Sequence, residues 1–174
     1  MKKMTPVFGA VLFGLMFSAS AWADGGGRFA RENAQGGITA GSAHQVSGEN
    51  GSVTQGRGVR SDGQGNLRAA SGGAVQTVNG GAAGRAGYTT RNADGSVQHQ
   101  SGMAASGSQG SLKSTGSTSV DASGNVNQSR STEATNAATG NSYQGNTSYD
   151  TSSGLSHTST CYDASGNVIA CPSR

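Results

Sequence analysis

Apolar side chains are sparse along this chain and recur at a regular beat. A Gly-Ser or Gly-Asn pair followed by an aliphatic residue appears at Gly51-Ser52-Val53, Gly65-Asn66-Leu67, Gly95-Ser96-Val97, Gly110-Ser111-Leu112, Gly124-Asn125-Val126 and Gly166-Asn167-Val168. Weaker copies stand at Gly80, Gly140 and Gly154. Successive glycines of this series lie 12 to 16 residues apart. A random Gly/Ser linker does not keep such a period, so the chain is read as a structural repeat.

Between the glycines the chain is dense in Thr, Ser, Val and Tyr, which suits strands and not helices. Several segments alternate by twos. Val97, His99, Ser101, Met103 and Ala105 form one such set, Leu112, Ser114, Gly116, Thr118 and Val120 another, and Tyr143, Gly145, Thr147 and Tyr149 a third. Small polar residues occupy both faces, so the alternation says little about register. The hexapeptide Asp-Ala-Ser-Gly-Asn-Val occurs twice, at 121–126 and 163–168. Its Asp can accept from the backbone N–H two residues on, and its Gly tolerates positive φ, so it reads as a hairpin turn. Turns are therefore predicted at Gly51, Gly65, Gly80, Gly95, Gly110, Gly124, Gly140, Gly154 and Gly166. Removing about four turn residues per interval leaves strands of roughly 8–11 residues.

The fold class expected is all-β: an antiparallel meander of long hairpins with a period near 15 residues. The alternative is a β-solenoid with coils near 30 residues. Cys161 and Cys171 favour the meander, because they flank Gly166 symmetrically and meet if the chain folds back there. They are the only two cysteines, and a disulfide between them is expected in an exported protein. Residues 24–47 are less regular and are expected to be a Gly-rich, poorly ordered segment, with at most one helical turn at 28–34. The repetitive domain is placed at 48–174, although Gly36 keeps the beat.

Residues 1–23 have the order of a secretory signal peptide: Lys2 and Lys3, an apolar run to Phe17, then Ala21-Trp22-Ala23. Cleavage is expected between Ala23 and Asp24. The run is shorter than the roughly 20 residues a spanning helix needs. Location in the periplasm, at the cell surface or outside the cell follows. Loss of Lys2 and Lys3 takes the twelve cations to ten against nine acids, so the net charge falls from +3 to +1. That balance does not supply the basic patch a nucleic-acid binder needs. Charged residues are only 12% of the chain and hydrophobic ones 32%, too few for a thick core.

No constellation for catalysis, cofactor or metal stands out. His44, His99 and His157 have no ligand partner at a metal-binding spacing. No G-x-S-x-G elbow occurs, and one carboxylate per turn is too few for a calcium loop. Nor do alternate positions carry the apolar side chains a membrane barrel presents to lipid. One charge asymmetry remains: Arg57, Arg60, Arg68, Arg85 and Arg91 share their segment with Asp62 alone. This is the candidate contact for an anionic glycan or lipid. The function expected is non-enzymatic: a structural, self-associating or adhesive β-protein that pairs through its sheet edges. The alternatives are a monomeric binding module using the arginine segment and a largely disordered spacer.

Overall fold

The structure, a computed structural model, describes residues 25–172. The expected signal peptide and its cleavage point at Ala23 and Asp24 lie outside the described residues. The described residues form one antiparallel sheet of eleven strands, each hydrogen-bonded to the next in chain order. They are β1 (Gly25–Glu32), β2 (Ile38–Gly48), β3 (Gly51–Ser61), β4 (Leu67–Thr77), β5 (Ala82–Arg91), β6 (Val97–Gly107), β7 (Gly110–Val120), β8 (Val126–Asn136), β9 (Ser142–Asp150), β10 (Gly154–Tyr162) and β11 (Val168–Ile169). The sheet is a meander, and no parallel pairing of the solenoid kind occurs in it. The beat near 30 residues survives as the hairpin unit. The turns at one end of the sheet are headed by Asn33, Asp62, Asn92, Asp121 and Asp150, which follow one another at 29 or 30 residues.

All nine glycines of the series have positive φ, as does Gly36, and no non-glycine residue does among the described residues. The repeated hexapeptide shows why. Gly124 N–H donates to the Asp121 carbonyl at 3.0 Å, and Asp121 N–H to the Asn125 carbonyl at 3.0 Å. The Asp121 carboxylate accepts from Ser123 N–H at 2.8 Å, Asn125 N–H at 2.9 Å and the Asn125 side-chain amide at 2.7 Å. Asp163 repeats this pattern with Ser165 and Asn167. A type I turn followed by a left-handed glycine is the usual three-residue hairpin loop.

These bonds hold the turn carboxyls below the ordinary value of 3.8. The largest cause is the Asn66 side chain for Asp62, Asn125 for Asp121 and Asn167 for Asp163. In the unfolded chain each carboxyl takes up its proton at higher pH than in the fold. The bonds therefore contribute their whole stabilisation above about pH 4 and lose it as pH falls through the depressed values. Protection of the Ser123 and Asn125 amides, relative to their intrinsic exchange rates, is expected to fall as pH drops through the lowered Asp121 value. Asp121→Asn is expected to abolish that pH step while keeping a weaker turn. An unchanged step in Asp121→Asn would sink the assignment.

Residues 25–47 depart from expectation. They form β1 and most of β2, paired in register from Gly25 with Gln45 to Glu32 with Ile38, not a poorly ordered segment with a helical turn. The Asn33 side chain explains the order. It accepts from Gln35 and Gly37 N–H and donates to the Ser61 carbonyl at 2.7 Å, tying the first turn to the second hairpin.

The register sorts the apolar residues. Directly opposed residues share a face, so the pairings can be followed across the sheet. Every large apolar residue of the strands lies on one face except Phe29, Tyr88, Tyr162 and Val168. On that face they form two stripes. One runs from Val46 through Val53, Val75 and Leu112 to Tyr143 and Ile169. The other includes Leu67, Val97, Val120 and Val126 near the opposite ends of the strands. Among the described residues no second layer covers them. Cys161 is the only hydrophobic residue counted as buried among the described residues, at 5% exposure, while Val46 and Val53 are about half exposed. Cross-strand pairs, each contributing about 0.2–1 kcal/mol, and backbone ladders hold the sheet together in place of a core.

Cys161 and Cys171 form the expected disulfide, with Cα atoms 5.2 Å apart. Its geometry differs from the expectation. Cys161 pairs with Ile169, so the hairpin turns about residue 165 and the bridge is diagonal. The cause is the turn type: the left-handed glycine sits one residue past the apex. The final strand is two residues long. A stable disulfide fits an oxidising compartment outside the cytoplasm.

Candidate functional site: the concave arginine face

The face that carries the apolar stripes is concave. A cavity of about 1000 Å³ is lined by its side chains from β1 through β8. A second, of about 690 Å³, adjoins it and shares Arg28, Ser42, Arg57, Ser71, Gly87 and His99. The floor lies between the two apolar stripes and is made mostly of small and polar residues, with Met103 among them.

Four arginines reach into the larger cavity: Arg28 of β1, Arg57 of β3, Arg85 of β5 and Arg130 of β8. Arg28 and Arg57 stand in one row across the strands, joined by Ser42, whose hydroxyl accepts from Arg57 Nε at 3.3 Å. Arg130 lies over Gly116, where a Cβ would come 3.8 Å from its Nε. Glycine at that point leaves the guanidinium room to lie along the floor. Among the described residues no ion pair engages these four arginines. The one strand carboxylate on this face is Glu32, at the turn end of β1, and Glu133 and Asp150 lie on the opposite face. The trough on this face is thus lined by four arginines and by no carboxylate.

The five arginines of the sequence segment separate. Arg57 and Arg85 enter the trough. Arg91 is on the same face but at the strand end, outside the cavity. Arg60 and Arg68 are directly opposed to each other on the other face. Arg28 and Arg130 lie outside that segment in sequence, and its charge asymmetry does not point to them. The signal that finds Arg28 is the hairpin period: 29 residues separate it from Arg57.

The three histidines share this face as well. His44 and His99 line the trough, and His157 lies beyond it on β10. His99 and His157 repeat one arrangement. Each Nδ1 is 2.9 Å from the hydroxyl of the threonine directly opposite, Thr89 and Thr147. Gly87 beside His99 and Gly26 beside His44 leave space for the rings. Among the described residues no three His, Cys, Asp or Glu side chains stand close enough to hold a metal ion. The arrangement offers charge-assisted hydrogen bonds to an anion along a polar floor. No family model, curated protein or solved structure matches the chain.

Proposed function

We propose that this is a non-enzymatic, adhesive β-sheet of the extracytoplasmic space that holds an anionic polysaccharide across its concave face. One observation carries the reading: Arg28, Arg57, Arg85 and Arg130 line a single trough that spans eight strands and contains no carboxylate partner for them. Alternate strands lie about 10 Å apart at ~4.8 Å per strand. Arg28, Arg57 and Arg85, on β1, β3 and β5, therefore present charges at a spacing suited to a polymer charged once per disaccharide. The shallow, polar, serine-rich floor suits sugar hydroxyls. A compact anion would meet only one or two of these charges at a time.

The opposite face provides an internal control. Arg57→Gln/Arg85→Gln and Arg60→Gln/Arg68→Gln remove the same net charge from the two faces. Affinity for an immobilised polysaccharide with one uronate per disaccharide, at 50 mM salt, is expected to fall at least about ten-fold per arginine lost from the trough, as for a charge-assisted bond of about 1.5 kcal/mol. The outer-face pair should change it by less than about three-fold, through long-range attraction alone. Equal losses from both pairs would overturn the proposal. So would tight binding to vesicles of anionic phospholipid with none to the polysaccharide.

A further inference from the structure

We infer that the sheet binds further copies of itself edge to edge, β10 of one molecule against β1 of the next, so that the concave trough continues from copy to copy. This rests on the edges of the sheet and not on the arginines, and it goes beyond the polysaccharide reading.

Both edges are open. Among the described residues β1 pairs only with β2. On its outer side β10 pairs with β11 only at Cys161 and Tyr162, so among the described residues no strand is paired to Gly154–Thr160. A long unpaired edge is a template for another strand. The two open segments are similar in length, eight residues in β1 and seven in β10.

Strand parity makes them complementary. The long strands number ten, so β1 and β10 run in opposite directions. A second copy that carries on the sheet with the same face concave thus brings its β1 antiparallel to β10. Had the number been odd, that copy would have met a parallel edge. The contact is heterologous, joining two different surfaces, and such contacts add copies without limit unless a rotation closes them into a ring.

Rows across the sheet set the register. Following the pairings from strand to strand places Leu155 in the row of Ala30 and His157 in the row of Arg28. With those rows aligned, Ala30 of the added copy lies beside Leu155, which is 73% exposed. On the other face Phe29, 55% exposed, lies beside Ser156. The short β11 occupies the same lane as the incoming β1 at Cys161 and Tyr162, and the aligned rows place Gly25 of the added copy at the adjoining position, across from Thr160. The disulfide pins β11 there. With the row of Arg28 carried into the next copy, one trough becomes a continuous track.

The test uses the mature chain, residues 24–174. Ala30→Cys/Leu155→Cys places one thiol on each edge, in the same row. Under oxidising conditions, with the native bridge retained, a non-reducing gel is expected to show a ladder of dimers, trimers and longer species. Each single variant should stop at dimers. Leu155→Lys puts a charge on an exposed edge position and should leave the circular dichroism unchanged. It is expected to raise the concentration at half-assembly about ten-fold, read by sedimentation. A double variant that forms only an intramolecular bridge would show that β1 and β10 of one chain close on each other, and would overturn the inference. A wild-type chain that sediments as a monomer at all concentrations, with its β-spectrum intact, would overturn it too. Neither readout involves polysaccharide, so either proposal can fail without the other.

Discussion

Gly110→Ala is expected to lower stability by about 3 kcal/mol, where most turn glycines would lose about 1. Gly110 opens β7 with φ of 144° and lies opposite both Gly107 and Asn136. A Cβ there would run into the Thr135 carbonyl oxygen of β8. The obstacle is backbone, not the end of a flexible side chain, so relief requires β8 to move away from β7. Gly51 is the same site one pair of hairpins earlier, with φ of 134° and the Gln76 carbonyl oxygen as the obstacle. Gly124 supplies the contrast. Its φ is 87°, but an added Cβ meets nothing within 4 Å. The cost of Gly124→Ala is therefore backbone conformation alone. Denaturant midpoints should rank Gly124→Ala well above Gly110→Ala and Gly51→Ala, which should fall close together. Hydrogen exchange in Gly110→Ala should show the loss concentrated in β7 and β8. A chain of this length is stable by only roughly 10 kcal/mol, so 3 kcal/mol is a large share. Equal midpoints for Gly110→Ala and Gly124→Ala would refute the backbone clash.

Cys161→Ser/Cys171→Ser is expected to cost about 2–3 kcal/mol, the loop-entropy value for a ten-residue separation. The effect should be local. β11 meets β10 through Val168 and Ile169 only, and nothing pairs with its other side among the described residues. Without the bridge, two pairs of residues cannot offset the entropy of ordering that strand. Exchange protection should vanish across 167–171 and weaken at Cys161 and Tyr162. The turn at Asp121–Asn125 has the same hexapeptide but lies between two eleven-residue strands and should keep its protection. If both turns lose protection together, the sheet unfolds as one unit and the bridge stabilises all of it. Stacked hairpins that contact only their neighbours make the local outcome the expected one.

The turns were legible in the sequence because turn chemistry is local. Asp or Asn, a left-handed glycine and a following aliphatic residue act within six positions, and each glycine of the series has positive φ in the structure. Strand length followed from the spacing. The alternating sets beginning at Val97, Leu112 and Tyr143 are real faces for the same reason: a strand's period of two depends on no distant contact. The cysteine pairing was legible too, but its diagonal register was not, because one residue's difference in the apex depends on the loop's hydrogen bonds. The N-terminal strands escaped notice because β1 has three glycines and two arginines and no clear alternation. Its order comes from contacts across the sheet, such as Asn33 with Ser61.

Only the tertiary structure decided which side of each strand meets which side of the next. That choice is made turn by turn, since a loop of even or odd length sends the next strand's side chains to one face or the other. Summed over the hairpins, it puts Arg28, Arg57, Arg85 and Arg130 in one trough and sends Arg60 and Arg68 to the far side, although Arg57 and Arg60 are three residues apart. Curvature, which makes that face concave, and strand parity, which makes the two edges complementary, are properties of the whole sheet. No window of sequence contains them, because each depends on every turn and register between β1 and β10.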